Sequence, residues 1–337
     1  MAAPLQSMRY STVLNVGGAV VGVALAVILF ARIGLDPVIE VIERIHWWQF
    51  ALICLAYPLV LAADALGWRY AFTHDRAPIT RLFLARAAGE AVNAVSVVAP
   101  IGGEPLRAWL VRPWATYEDS VPSIIVAKTA NVAAQALFQA VVLGLTVALL
   151  NVPRRLTLAM LALLVVEVVA IAVLVATQVT GAMGWIGRLL QRFGVRGGAK
   201  SASRMDATLS AYYRRERGRF TASLGFHILG RTLGSVEALV ILWALALPPS
   251  VLFAVAIEAI GSGVRFATFF LPGSIGVLEG ANATAFGALG LGAGAGLAFT
   301  VLRRARQIVW IALGLAAIGL ARSGLGARAR AYARPRG

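Results

Sequence analysis

The chain has 337 residues, 59% of them hydrophobic and only 14% charged, and its mean hydropathy is +0.80. That balance excludes a water-soluble protein and marks a polytopic membrane protein. The net charge of +16 comes from basic residues gathered in a few segments between apolar runs, the bias that orients membrane helices. No basic patch accompanies a nucleic-acid reading fold, so nucleic acid is not an expected partner.

Thr12 to Arg32 is long enough to cross the bilayer, and its apolar part is too long for a cleaved signal. Asp36, Glu40, Glu43 and Arg44 follow, an acidic balance that suits the outer face. His46 to Leu66 returns inward, with Trp47, Trp48 and Trp68 as interfacial anchors. Cys54 is the only cysteine, so an internal disulfide and a cysteine metal cluster are excluded. Arg69, His74, Asp75, Arg76 and Arg81 make a cytoplasmic loop.

Leu82 to Val111 is too polar for a lipid-facing span and is broken at Pro100. It reads as a re-entrant pair of half-helices, the plainer alternative being an amphipathic surface segment. Val121 to Leu150 crosses outward with Lys128, Asn131, Gln135 and Gln139 on one stripe, which should face the interior. Leu156 to Thr180 returns with Glu167 inside it. Arg188 to Arg219 is a strongly basic cytoplasmic loop, either solvated or drawn to anionic headgroups.

Phe220 to Leu247 crosses outward carrying His227, Arg231 and Glu237, and Val251 to Phe270 runs inward with Glu258 and Arg265. The stretch Phe269 to Thr284, FFLPGSIGVLEGANAT, follows. Pro272 and Gly273 stop a helix, Gly276 allows close backbone approach, and Glu279 with Asn282 adds polarity where a span should be apolar. Ser274 to Leu291 crosses outward if it spans at all, and the small residues of Gly287 to Gly296 suit close helix packing better than a phosphate loop. Thr300 to Leu320 descends to an arginine-rich tail, 321–337, that favours a cytoplasmic C-terminus.

The expectation is therefore an all-α, single-domain membrane bundle over 1–337. It has about eight spans plus re-entrant half-helices, both termini inside, and two interruptions that suggest an inverted repeat. Arg303, Arg304 and Arg306 fall near the outer face in this layout. A second re-entrant hairpin at Pro272 would bring them inside and put the tail outside.

An ionisable residue at a helix centre costs about 2.5–3.5 kcal/mol by insertion scales. Glu90, Glu104, Lys128, Glu167, Arg231, Glu237, Glu258, Arg265 and Glu279 must therefore pair with one another or line a wet cavity. Pairing that only holds the bundle together is the bland reading, strongest for Glu167 and Glu237. At the two breaks the functional reading is stronger. Half-helix N-termini at Pro272-Gly273 and Ile101-Gly102-Gly103 offer N–H groups to an anion, and Arg107, Lys128 and Arg265 add full charge. The candidate substrate-binding set is Glu90, Gly103, Glu104, Arg107, Lys128, Asn131, Glu258, Arg265, Pro272, Gly273, Gly276, Glu279 and Asn282. A phosphate headgroup is a natural guest, with Glu104 and Glu279 orienting the cations or handling a proton.

The strings GGEPLRAW (Gly102 to Trp109) and PGSIGVLEG (Pro272 to Gly280) resemble the two motifs of the lysylphosphatidylglycerol synthase transmembrane, or flippase-like, family, which includes hopanoid-associated proteins. Gly103, Glu104 and Arg107 match the first motif; Pro272, Gly273, Gly276 and Glu279 match the second. The resemblance implies a multi-span bundle of the inner membrane that moves lipids between leaflets. Only the arginine-rich tail follows the last span, so aminoacylation of lipid by this polypeptide alone is not expected. An enzyme using Glu104 or Glu279 as base is a weaker reading, for no HExxH or GxSxG pattern occurs and His46, His74 and His227 are scattered. No metal or cofactor is expected. The remaining alternative is a noncatalytic subunit that docks a lipid-biosynthesis enzyme through the basic loop, residues 188–219.

Overall fold

In the computed structural model the described residues are 39, 43, 45–74, 77–95, 103–179 and 198–332. The span expected at Thr12 to Arg32, the break at Pro100, the first part of the basic loop and the end of the tail lie outside them. The described residues form ten α-helices: α1 Trp47–Tyr70, α2 Ile79–Val95, α3 Gly103–Val111, α4 Tyr117–Leu149, α5 Arg154–Val179, α6 Gly198–Arg215, α7 Arg217–Ala244, α8 Val251–Ala267, α9 Val277–Ala288 and α10 Ala293–Tyr332. A 3-10 turn, Pro272–Ser274, lies between α8 and α9.

Helices α1, α4, α5 and α7 are long and apolar enough to cross a membrane. Each has an apolar exposed side, clearest on α5, where Val165, Val168, Val169 and Val173 point outward. In lipid such a side needs no cover, because hydrocarbon is as apolar as valine and the helix satisfies its own backbone. Helices α3 and α9, at 9 and 12 residues, reach only about 14 and 18 Å, against about 30 Å of hydrocarbon. Helix α3 packs on α2, and α9 on α8. Each of these short helices is thus preceded by a 17-residue helix on which it packs.

Three apolar clusters hold this together. Ile53, Ile241, Ile257, Phe286 and Phe299 join α1, α7, α8, α9 and α10; Trp68, Leu82, Val111 and Tyr212 join α1, α2, α3 and α6; Val142, Met160, Ala256 and Leu278 join α4, α5, α8 and α9. Trp68 corrects an expectation. Rather than anchoring at an interface it is buried, and its indole N–H donates to Ser123 Oγ at 3.0 Å, because a buried indole needs an acceptor. Trp47 is 83% exposed at the start of α1, as an anchor should be. Gly296 explains part of the glycine-rich stretch: a Cβ there would meet the carbonyl oxygen of Asn282 at 2.6 Å, so α10 crosses α9 backbone to backbone. Gly290 and Gly292 instead take positive φ, 76° and 86°, around the turn between those helices.

Candidate functional site

Both short helices begin where glycine is needed. At the second break Gly273 and Gly276 have φ of 60° and 80°, conformations that cost an L-residue about 1–2 kcal/mol. Thr268 closes α8 and its hydroxyl donates to Ser274 Oγ at 2.8 Å across the turn. At the first break Gly103 lies against the carbonyl of Gly89, leaving no space for a Cβ, and α2 and α3 meet at their backbones. The motif glycines therefore serve geometry.

The N–H groups that begin these helices are already in use. Gly103 N–H donates to Asn93 Oδ1 at 2.7 Å, and Gly276 N–H donates to Glu279 Oε2 at 2.7 Å. Glu279 Oε1 in turn accepts from Arg304 at 3.1 Å. Of the N–H groups expected to stand open to an anion, that of Gly103 is capped by Asn93, as capping rules favour, and Ile101 and Gly102 lie outside the described residues. Glu279 is a buried brace between the cap of α9 and α10.

Positive charge for a guest comes instead from arginines. A cavity of about 430 Å³ lies between the two broken elements, and α2 packs on the Pro272–Ser274 turn along one side of it. Its walls carry Arg86, Arg231, Arg265, Arg303, Arg304 and Arg306 against Asp64, Glu90, Glu237 and Glu258. With Glu279 bound to Arg304 behind the wall, six guanidinium groups meet five carboxylates, which leaves an excess of one positive charge. A second hollow of about 190 Å³, lined by Glu104, Arg107 and Lys128, shares Arg86 and Asn131 with it.

The charges are braced in pairs. Glu258 accepts from Arg303 at 2.6 Å and faces Arg265 at 3.4 Å. Glu237 lies 3.2 Å from Arg306 and 3.5 Å from Arg303, and Arg306 stacks over Tyr57 at 3.9 Å. Asp64 holds Arg86 on one side and accepts from His227 Nδ1 at 2.8 Å on the other. Arg231 donates to Asn131 Oδ1 at 2.6 Å. In the smaller hollow Glu104 lies 3.3 Å from Lys128 and 3.8 Å from Arg107. Guanidinium groups are weakly hydrated and fork-shaped, which suits both internal carboxylates and an incoming phosphate.

Of the expected set, Glu90, Asn131, Glu258, Arg265, Gly273 and Asn282 line the larger cavity. Glu104, Arg107 and Lys128 line the smaller. Pro272 opens the 3-10 turn, while Gly103, Gly276 and Glu279 act through the backbone geometry behind the walls. Three of the four residues of the α4 stripe face inward as expected, Gln135 and Gln139 being buried and Asn131 meeting Arg231, whereas Lys128 is exposed at the smaller hollow. Asp64, Arg86, Arg303, Arg304 and Arg306 were missing from the expected set. The signal for them was present, since an ionisable residue in an apolar stretch marks a cavity. Among the described residues no three His, Cys, Asp or Glu side chains gather as metal ligands.

The model for the family described as "Lysylphosphatidylglycerol synthase TM region" matches residues 15–315, most of the chain. No curated protein matches the chain.

Proposed function

We propose that this chain, which belongs to the lysylphosphatidylglycerol synthase TM region family, is a flippase-like translocase. It moves a lipid with a polar or anionic headgroup between the leaflets of the cell's inner membrane. The carrying observation is the arginine-rich cavity between two broken helices, with lipid-facing helices around it. Its volume lies within the roughly 300–1,000 Å³ of small-molecule sites. On this reading the headgroup passes through the cavity while the acyl chains stay in the bilayer, and both termini are cytoplasmic.

The ion pairs suit transient occupancy. The carboxylates of Glu258 and Asp64 hold Arg265, Arg303 and Arg86 at the cavity wall. An entering phosphate competes for the same donors and replaces its lost hydration with charge-assisted hydrogen bonds. As it leaves, the internal carboxylates take the arginines back. Such exchange keeps binding weak enough for release, a condition of any conduction pathway. No bond is made or broken in the lipid.

Leaflet exchange in reconstituted liposomes tests this. With fluorescent anionic lipid in both leaflets, an impermeant reductant should bleach nearly all the signal in proteoliposomes but only the outer-leaflet share in empty ones. Bleaching equal to that of empty liposomes for anionic and zwitterionic lipids alike would overturn it. The family description also supports a second reading, a noncatalytic membrane subunit of a lipid-modifying synthetase. Copurification with such an enzyme, together with no exchange by the chain alone, would favour that reading.

A further inference from the structure

Glu167 stands outside the ionic network. The buried stripe of α5 is Leu156, Met160 and Glu167, and the carboxylate, 0% exposed, lies near the middle of that 26-residue helix. Among the described residues the other carboxylates classed as buried, Glu237, Glu258 and Glu279, each have an arginine within 3.5 Å. Glu167 has no such cation. Its Oε1 accepts from Gln135 Nε2 at 3.1 Å, and its Oε2, also buried, has no partner.

The surroundings offer acceptors in excess of donors. Gln135 Nε2 is shared with Ser262 Oγ at 2.9 Å, and the hydroxyl of Ser262 is spent on the carbonyl of Glu258 at 2.6 Å. Gln135 Oε1 and, one turn along α4, Gln139 Oε1 are buried without a donor. The charged groups on neighbouring helices are engaged elsewhere. Lys128 on α4 faces Glu104, Arg265 on α8 pairs with Glu258, and Arg231 on α7 is bonded to Asn131. On α6 the bond to α5 is from Tyr213 to Gln178, about three turns from Glu167. An ionised carboxylate here would have no cation in contact, and what the cluster lacks is one acidic hydrogen.

We infer that Glu167 is a proton-binding site inside the membrane, taking up one proton from water on Oε2 to become a neutral carboxylic acid. A sodium ion fits less well, because it needs several more oxygens and α4 and α5 run as continuous helices that release no backbone carbonyls here. Gly263 leaves room for the carboxyl: a Cβ there would stand 3.3 Å from Glu167 Oε1. Through Ser262 the site touches α8, whose Glu258 lines the arginine-rich cavity. Proton binding at Glu167 is therefore positioned to act on the cavity wall. The inference goes beyond the translocase reading, and its test does not depend on transport.

The test is infrared spectroscopy of the reconstituted protein, wild type and Glu167→Gln, titrated from acid to alkaline pH in choline medium and again in sodium medium. The wild type should show a neutral carboxylic-acid C=O band at neutral pH that declines only on alkalinisation, is the same in both media and is missing from Glu167→Gln. If Glu167→Gln fails to fold, Glu167→Asp replaces it and should shift the band, an unshifted band overturning the assignment, as does the absence of any such band in the wild type at neutral pH. So does a band that survives in Glu167→Gln, or one that sodium abolishes at constant pH.

Discussion

Glu258→Ala is expected to cost about 3–5 kcal/mol of stability, the penalty typical of removing one partner from a buried ion pair. The carboxylate accepts from Arg303 at 2.6 Å and faces Arg265 at 3.4 Å. Without it Arg303 would keep the Gly234 carbonyl, at 3.2 Å, and a single carboxylate, Glu237 at 3.5 Å, which it must share with Arg306. Most of the loss should come from the stranded guanidinium. Thermal unfolding in detergent should therefore show a large drop for Glu258→Ala and a partial recovery in the double variant with Arg303→Met. A single variant as stable as wild type would show that this cluster does not hold α7, α8 and α10 together.

Arg265→Gln is expected to do the opposite, sparing the fold and damaging transport. The Arg265 side chain is 39% exposed to the cavity and makes the looser contact with Glu258, while Arg303 keeps the tight one. Losing a hydrogen bond to a charged group costs roughly 1.5–3 kcal/mol, so the rate of leaflet exchange should fall at least about tenfold. The melting temperature should stay close to that of wild type. Unchanged exchange would remove Arg265 from the headgroup path, and a collapse in stability would make it a structural ion-pair partner instead.

Much of the fold was legible because bilayers punish ambiguity. The regions expected at His46 to Leu66, Val121 to Leu150, Leu156 to Thr180 and Phe220 to Leu247 correspond to α1, α4, α5 and α7, the four helices whose length and composition suit a crossing. The spacing of Lys128, Asn131, Gln135 and Gln139 gave the inward face of α4, since a 3.6-residue period leaves little choice. Partners at long sequence distance were not legible. Arg303, Arg304 and Arg306 read as a topological conflict near an outer face. They are interior groups bound to Glu258, Glu279 and Glu237, and charge that is neutralised inside the bundle has little call on membrane orientation.

The two motifs were visible as interruptions, but their chemistry was only half readable. Proline and glycine announce a break, and Gly273 and Gly276 do take left-handed backbone there. What sequence could not supply is that Asn93 of α2 would occupy the N–H that begins α3, whereas the Glu279 cap on Gly276 is local, three residues along the chain. A cap from a neighbouring element is a tertiary event. Asp64 is a single charge in an apolar run, and its importance appears only when α1 and α2 bring it to Arg86.

The central claim is that a polar, water-accessible cavity lies between the two broken helices within the bilayer. Replacing Cys54 by serine gives a background without cysteine. Single cysteines can then be placed at Ala94, on the cavity wall, and at Val165, on the lipid-facing side of α5. Labelling with a charged, membrane-impermeant thiol reagent should modify Ala94→Cys, slow when anionic lipid is added, and leave Val165→Cys untouched. If Ala94→Cys is as inert as Val165→Cys in folded, reconstituted protein, no aqueous path reaches the arginines and the account fails.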